Sequence, residues 1–296
     1  MIGIELDDSK FTEALYRLRQ SAGQTVSQIL GQLAGQLQAK RLADAQQEIM
    51  AQQAQEAMAS PSPSEEPAVQ GTQITLSFVG DVALGVDNNI EDGDRFERYF
   101  DSQGADYFFR NVKSIFEGDD LTAASLYGSL TLNDDPQERS NWDIAFRADP
   151  IAASALTAGG IDMVDAANSH TYDFGNSGYV DTLANLDKAD IGRFGFDYTL
   201  MKQIKGVKVG FTGVWKYSYL DYEGTALDNI AYLREEGAQI VVAVIQWTSN
   251  SPDTPDNSQI LLAHKFIDAG ADLVIGIMDE TIQGIEVYHD RYIVYS

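Results

Sequence analysis

A chain of 296 residues with 45 acidic against 20 basic side chains has a formal net charge of −25; such a field repels nucleic acid and anionic membrane and concentrates cations. No basic patch with interleaved aromatics offsets it, so nucleic acid is not expected as a partner. With no cysteine, disulfides, thiolate metal sites and a cysteine nucleophile are excluded, while the compartment stays open.

The first residues, MIGIELDD, are acidic and no long apolar run follows, so neither a signal peptide nor a membrane span is read there. Phe11, Leu15, Leu18, Ala22, Val26, Ile29, Leu33 and Leu37 recur at steps of three and four, the spacing of one helical face. Such a stripe needs a partner, and residues 9–37 are expected to oligomerise or dock, although Gly23, Gly31 and Gly35 weaken the helix. An Ala- and Gln-rich stretch to Met58 completes a helical arm over 1–59, and SPSPSEEP from Ser60 opens a linker over 60–70. The main domain is expected over 71–296.

There, short apolar runs alternate with helical patterns, as in an α/β domain. Ile74 to Val79 reads as a strand ending in Gly80-Asp81, Tyr107 to Phe116 as a helix, and Leu121 to Leu126 as a strand leading to Tyr127-Gly128-Ser129. Pro150 starts a helix that Gly159-Gly160 ends, and Ile161 to Ala167 reads as a buried strand. A helix from about Gly178 to Lys188 follows, its start marked by Asn176 or Ser177, then a strand near Ile191. Strands are expected at Val207 to Val214, Ile240 to Ile245 and Ala271 to Gly276, with helices at Thr225 to Glu236 and Pro255 to Ala269. Ile282 to Tyr288 and Tyr292 to Tyr295 read as antiparallel strands around His289-Asp290.

Ligands in open α/β sheets bind at the carboxyl ends of strands. The polar exit Asn168-Ser169-His170 is therefore the main site candidate, with Asp173 three residues on and Asp81 after the first strand. His170 can ligate a metal or move a proton, and Asp81 can hold a divalent cation. The residues leave a second reading open, in which Asn168 and Asp173 cap and turn the loop, His170 fills a satisfied polar niche and Asp81 is a turn residue. His264 reads as an interfacial or exposed helix residue, His289 as a turn residue, and Trp215 and Trp247 as core or rim that could line a pocket.

SFVGDVALG from Ser77, ASLYGSLT from Ala124, DAANSHTYDFG from Asp165, VVAVIQW from Val241, AHKFIDAGADLVIG from Ala263 and QGIEVYHDRYIVYS from Gln283 together resemble the capsule or poly-gamma-glutamate synthesis family of the CapA/PgsA type. The resemblance runs from about Ile74 to the last residue. It implies an α/β chain with a calcineurin-like metallophosphoesterase fold, an α+β sandwich of two sheets flanked by helices. It also implies a bacterial cell-surface or extracellular location and a divalent metal (manganese, magnesium or calcium).

The carry-over to the site is partial. Asp81 keeps the aspartate of the family's Gly-Asp element, and Asn168 and His170 keep the ends of its Asn-Asn-His element, with Ser169 between them. Asn-Leu-Glu becomes Ser125-Leu126-Tyr127, His-Trp-Gly becomes Gln246-Trp247-Thr248, and Gly-His-His-Pro-His becomes Gly276-Ile277-Met278-Asp279-Glu280. Asp81, Asn168, His170, Asp279 and Glu280 remain as the metal candidates, and His170 and Asp81 as the catalytic ones. A two-metal centre needs about four ligands on each ion, so either a harder, carboxylate-rich site or no metal is expected. The chain also stops at Ser296, where the family continues with Leu-Gly-Asn-Phe, which reads as truncation of the domain.

Losses confined to strand ends, beside strands that keep their apolar pattern, indicate retained folding with weakened or lost catalysis. Three functions follow as expectations. The first is a capsule or polyglutamate synthesis component, partnered by an anionic polymer or the synthesis machinery, with cations bridging like charges. The second is a surviving metal-dependent hydrolase of phosphoester or related bonds. The third is a non-catalytic interaction module.

Overall fold

The computed structural model describes residues 71–85, 95–136, 145–217, 222–248, 253–278 and 281–296. The arm expected over 1–59, its linker, and the candidates Asp279 and Glu280 lie outside the described residues.

In chain order the elements are β1 (Leu76–Val82), α1 (Phe96–Gln103), α2 (Lys113–Phe116), β2 (Leu121–Leu126), β3 (Ser129–Leu130), β4 (Arg147–Ala148) and α3 (Ala153–Gly159). There follow β5 (Met163–Asp165), α4 (Gly175–Lys188), β6 (Gly192–Phe194), β7 (Leu200–Ile204), β8 (Val207–Trp215) and α5 (Tyr222–Glu235). The last are β9 (Ile240–Gln246), α6 (Asn257–Asp268), β10 (Leu273–Ile277), β11 (Ile285–Tyr288) and β12 (Arg291–Val294). A parallel sheet runs β1-β2-β5-β6, and a second, mixed sheet runs β11-β12-β10-β9-β8-β7.

The sheets pack face to face, which the side-chain alternation of each strand dictates. Leu121, Ala123, Met163 and Phe194 of the first sheet meet Val209, Phe211, Val242, Val244, Ile275 and Ile277 of the second in one buried cluster. Each fully buried apolar side chain there contributes roughly 1.5–3 kcal/mol. The opposite face of the first sheet is covered by Ala153 and Leu156 of α3, with Phe96 and Phe100 of α1 against it. That of the second is covered by Ile230 and Leu233 of α5 and Leu262 and Phe266 of α6. The result is the expected α/β arrangement of two sheets flanked by helices.

Several boundaries differ from expectation. β1 does not end before Gly80-Asp81 but runs through it: Val79 pairs with Ala124 and Asp81 with Ser125, leaving Gly80 as a bulge. The strand expected over 161–167 narrows to Met163–Asp165. α4 starts at Gly175, a turn earlier than expected, with no side-chain cap, so Asn176 and Ser177 lie inside its first turn. The helix expected over 107–116 breaks into a 3-10 turn at Ala105–Tyr107 and the short α2, because Phe108 stacks on Phe96 of α1 with ring centroids 4.1 Å apart. β7 is absent from the expected elements; it pairs antiparallel with β8 across a Lys205-Gly206 turn with both φ values positive. The β11–β12 hairpin turns at His289-Asp290 as the pattern predicts.

Candidate functional site at the carboxyl edge of the two sheets

The bulge at Gly80 decides where Asp81 points. Val79 and Val82 both pack on the helix-covered side; the inserted residue returns Asp81 to the face shared by Ser125 and Asp165. Asp81 pairs with Ser125, and Ser125 with Asp165, so three polar residues form one row across β1, β2 and β5. They cap the apolar inter-sheet cluster, since Ala123 and Met163 sit two residues earlier on the same face. From the second sheet Gln246, at the end of β9, reaches the row and donates from Nε2 to Asp81 Oδ1 at 3.4 Å.

Asp165 is fully buried, and its carboxyl is held well above the usual aspartate range by burial, with the Asp81 charge adding and the Ala167 N–H, 3.0 Å from Oδ1, opposing. A Cβ on Gly213 of β8 would stand 2.2 Å from that Oδ1, and one on Gly195 2.6 Å. Only glycine at those two positions leaves space for the carboxyl.

The loop after β5 is held by bonds from Asn168, Ser169 and His170. Asn168 Oδ1 accepts from the His170 N–H at 2.8 Å, Asn168 Nδ2 donates to the Leu126 carbonyl, and Thr171 Oγ1 accepts from the Asn168 N–H at 3.1 Å. The Ser169 N–H donates to Gln246 Oε1 at 2.7 Å, so one carboxamide ties the loop to Asp81. His170 is 2% exposed; its Nδ1 lies 2.8 Å from Asp173 Oδ2, which also accepts from the Phe146 N–H at 2.7 Å. The imidazole lies between Tyr127 and Phe146, with ring centroids 4.5 and 4.7 Å away. Gly128, at φ +110°, permits the approach of Phe146, whose Cβ would be 2.7 Å from any Cβ at that position.

Of the expected site residues, the structure links Asp81 through Gln246 to the loop that carries Asn168 and His170. The capping reading of Asn168 and the paired-niche reading of His170 describe these contacts. Of the two readings of His264 the interfacial one holds: it is buried at the edge of α6, with Nε2 2.8 Å from Glu286 Oε1 and its ring stacked on Tyr288 at 3.7 Å. His289 lies in the turn, 3.4 Å from Asp268. Trp247 is core, donating to the Tyr295 carbonyl at 2.9 Å, and Trp215 is half-buried. Asp165 is not among the site residues expected from the sequence, because the run around it reads as apolar, although a carboxylate two residues after Met163 on a buried strand is a visible signal.

A family-type metal can be tested against these donors. Both ends of Asn168, the Nδ1 of His170 and both ends of Gln246 are spent on internal hydrogen bonds. Among the described residues no group of three or more His, Cys, Asp or Glu is placed to hold a metal ion. Asp81, Asn168 and His170 therefore do not fit a two-metal centre.

A two-sheet α/β protein with a polar site at the strand ends is what the geometry defines. The model of the bacterial capsule synthesis protein family PGA_cap matches residues 75–296, and the chain belongs to that family. It is similar to the "PGA biosynthesis protein CapA" of Bacillus subtilis, 26% identical over 244 residues that cover 75% of this chain and 62% of that protein. It is also similar to the "Capsule biosynthesis protein CapA" of Bacillus anthracis, 24% identical over 77% of this chain and 59% of that protein. The chain thus spans about three fifths of the length of these curated relatives. A crystal structure of a hypothetical protein from Thermus thermophilus aligns with 64% of this chain and 69% of its own, at 16% identity and a TM-score of 0.42, too low to bear on fold or function. No helix among the described residues is long and apolar enough to cross a membrane.

Proposed function

We propose that this chain is a component of capsule or poly-gamma-glutamate synthesis at the bacterial cell surface, acting by assembly or by cation-bridged contact with an anionic polymer rather than by hydrolysis. Its fold is read as a calcineurin-like metallophosphoesterase sandwich over 71–296, with residues 1–59 as an oligomerising or docking arm. The names of the Bacillus relatives support the process. The observation that carries the non-hydrolytic part is the internal use of both ends of the Asn168 and Gln246 carboxamides. With a net charge of −25, direct attraction to polyglutamate is unfavourable, and a divalent ion is the natural bridge.

The experiment is retention of the full chain on immobilised poly-gamma-glutamate with calcium and with chelator, beside a phosphodiester assay with manganese. Calcium-dependent retention without hydrolysis is expected. Hydrolysis that chelation abolishes, and that Asp173→Asn lowers, would replace this reading with the metal-dependent hydrolase. The His170–Asp173 pair favours that second reading: with Nδ1 donating to the carboxylate, Nε2 carries the lone pair that proton transfer or ligation would use.

A further inference from the structure

One row deeper than Asn168 and His170, hydrogen bonding is incomplete. Asp165 Oδ2 and Ser125 Oγ are buried with no hydrogen-bond partner among the described residues, and each residue is 1% exposed. The other carboxyl oxygen, Oδ1, accepts from the Ala167 N–H at 3.0 Å and stands where a Cβ on Gly213 or Gly195 would fall. A buried oxygen without a partner is costly, and here two of them lie on adjacent strands.

Both residues line one cavity between the sheets, of about 10 Å³, the space of a single water-sized sphere. Its other walls are apolar and include Phe78, Phe194, Val244 and Ile277, surroundings that admit a small neutral molecule and penalise an ion. Ser125 and Asp165 are register partners on the parallel strands β2 and β5, and neighbouring strands lie about 4.8 Å apart. One water, with a hydrogen bond of about 2.8 Å to each side, spans two oxygens at that separation. We propose that a single structural water occupies this cavity and bridges Asp165 Oδ2 to Ser125 Oγ, tying β2 to β5 beneath the polar edge. Either form of the carboxyl suits it. The water accepts from a carboxylic acid or donates to a carboxylate, and the Ser125 hydroxyl, which can both donate and accept, takes the complementary role. The bridge is independent of any polymer or metal.

The test counts the long-lived internal waters of the full chain by oxygen-17 magnetic relaxation dispersion, in chelator so that no metal-bound water contributes. The parent should hold one more such water than Ser125→Ala, which leaves the molecule a single polar partner where two are the least that hold one. A folded His170→Gln, altered in the loop one row away, should keep the parent's count. A crystal structure of the full chain should show the same water as one density peak within about 3.2 Å of both oxygens, missing in Ser125→Ala. Equal counts in the parent and Ser125→Ala would overturn the proposal. So would a parent crystal in which Ser125 Oγ turns to bond Asp165 Oδ2 directly with no peak between them. A water lost from His170→Gln but kept in Ser125→Ala would overturn it too, by moving the molecule to the loop.

Discussion

Two neighbouring sets of polar groups at the same sheet edge are built on opposite terms. In the loop from Asn168 to Asp173, Asn168 is bonded at both ends of its amide, and His170 is pinned to Asp173 between two aromatic rings. In the row of Asp81, Ser125 and Asp165, one layer deeper, a hydroxyl and a carboxyl oxygen are buried without a partner among the described residues. A closed set makes a rigid turn, whereas an open one stores a cost that a proton or a water molecule can relieve. Asn168 and His170, the residues that look most like chemistry, are therefore occupied with structure, while Asp165, hidden in a strand, keeps a buried oxygen with no hydrogen-bond partner among the described residues.

The largest effect should come from breaking the closed set. His170→Ala removes one partner of a buried pair and leaves Asp173 with its Phe146 N–H, so a loss of about 3–5 kcal/mol is expected in chemical denaturation. A loss under about 1 kcal/mol would mean that the loop is held by something other than this pair.

The next probes the room made for Asp165. Gly213→Ala places a methyl group 2.2 Å from Asp165 Oδ1, and overpacking of this kind costs about 1–3 kcal/mol. In an Asp165→Ala background the same change should cost much less, a coupling that a double-mutant cycle reads directly. Additive losses would show that the glycine serves some other contact.

The smallest is a pH dependence. Burial holds the Asp165 carboxyl well above the ordinary aspartate value of 3.8, so the folded chain keeps a proton that the unfolded chain releases. The resulting stability is fully present below the unfolded value and is lost as pH rises through the folded one. Asp165→Asn lacks that slope. In chelator, its thermal midpoint should rise relative to the parent from about pH 4 upward, and parallel profiles would show that Asp165 does not titrate between the two states.

The comparison also marks how far the sequence could be read. The strand at Leu121–Leu126 matches its apolar run residue for residue, and the hairpin at His289-Asp290 follows from its turn residues. Asp81, Asn168 and His170 were legible because they stand at polar exits from apolar runs. Gln246 was visible only as a lost imidazole; its tie between Asp81 and Ser169 spans 77 residues to the loop and 165 to Asp81, beyond any local pattern.

By itself the sequence determined the class of the fold, the edge on which the polar residues gather and the family to which residues 75–296 belong, because apolar periodicity and strand-end polarity are local properties. Tertiary structure alone decided which of those residues face one another. A single bulge at Gly80 turns Asp81 toward Ser125 and Asp165, and the apposition of a second sheet supplies Gln246 and Gly213. Those are consequences of one-residue changes in register and of packing between strands far apart in the chain, which periodicity does not encode.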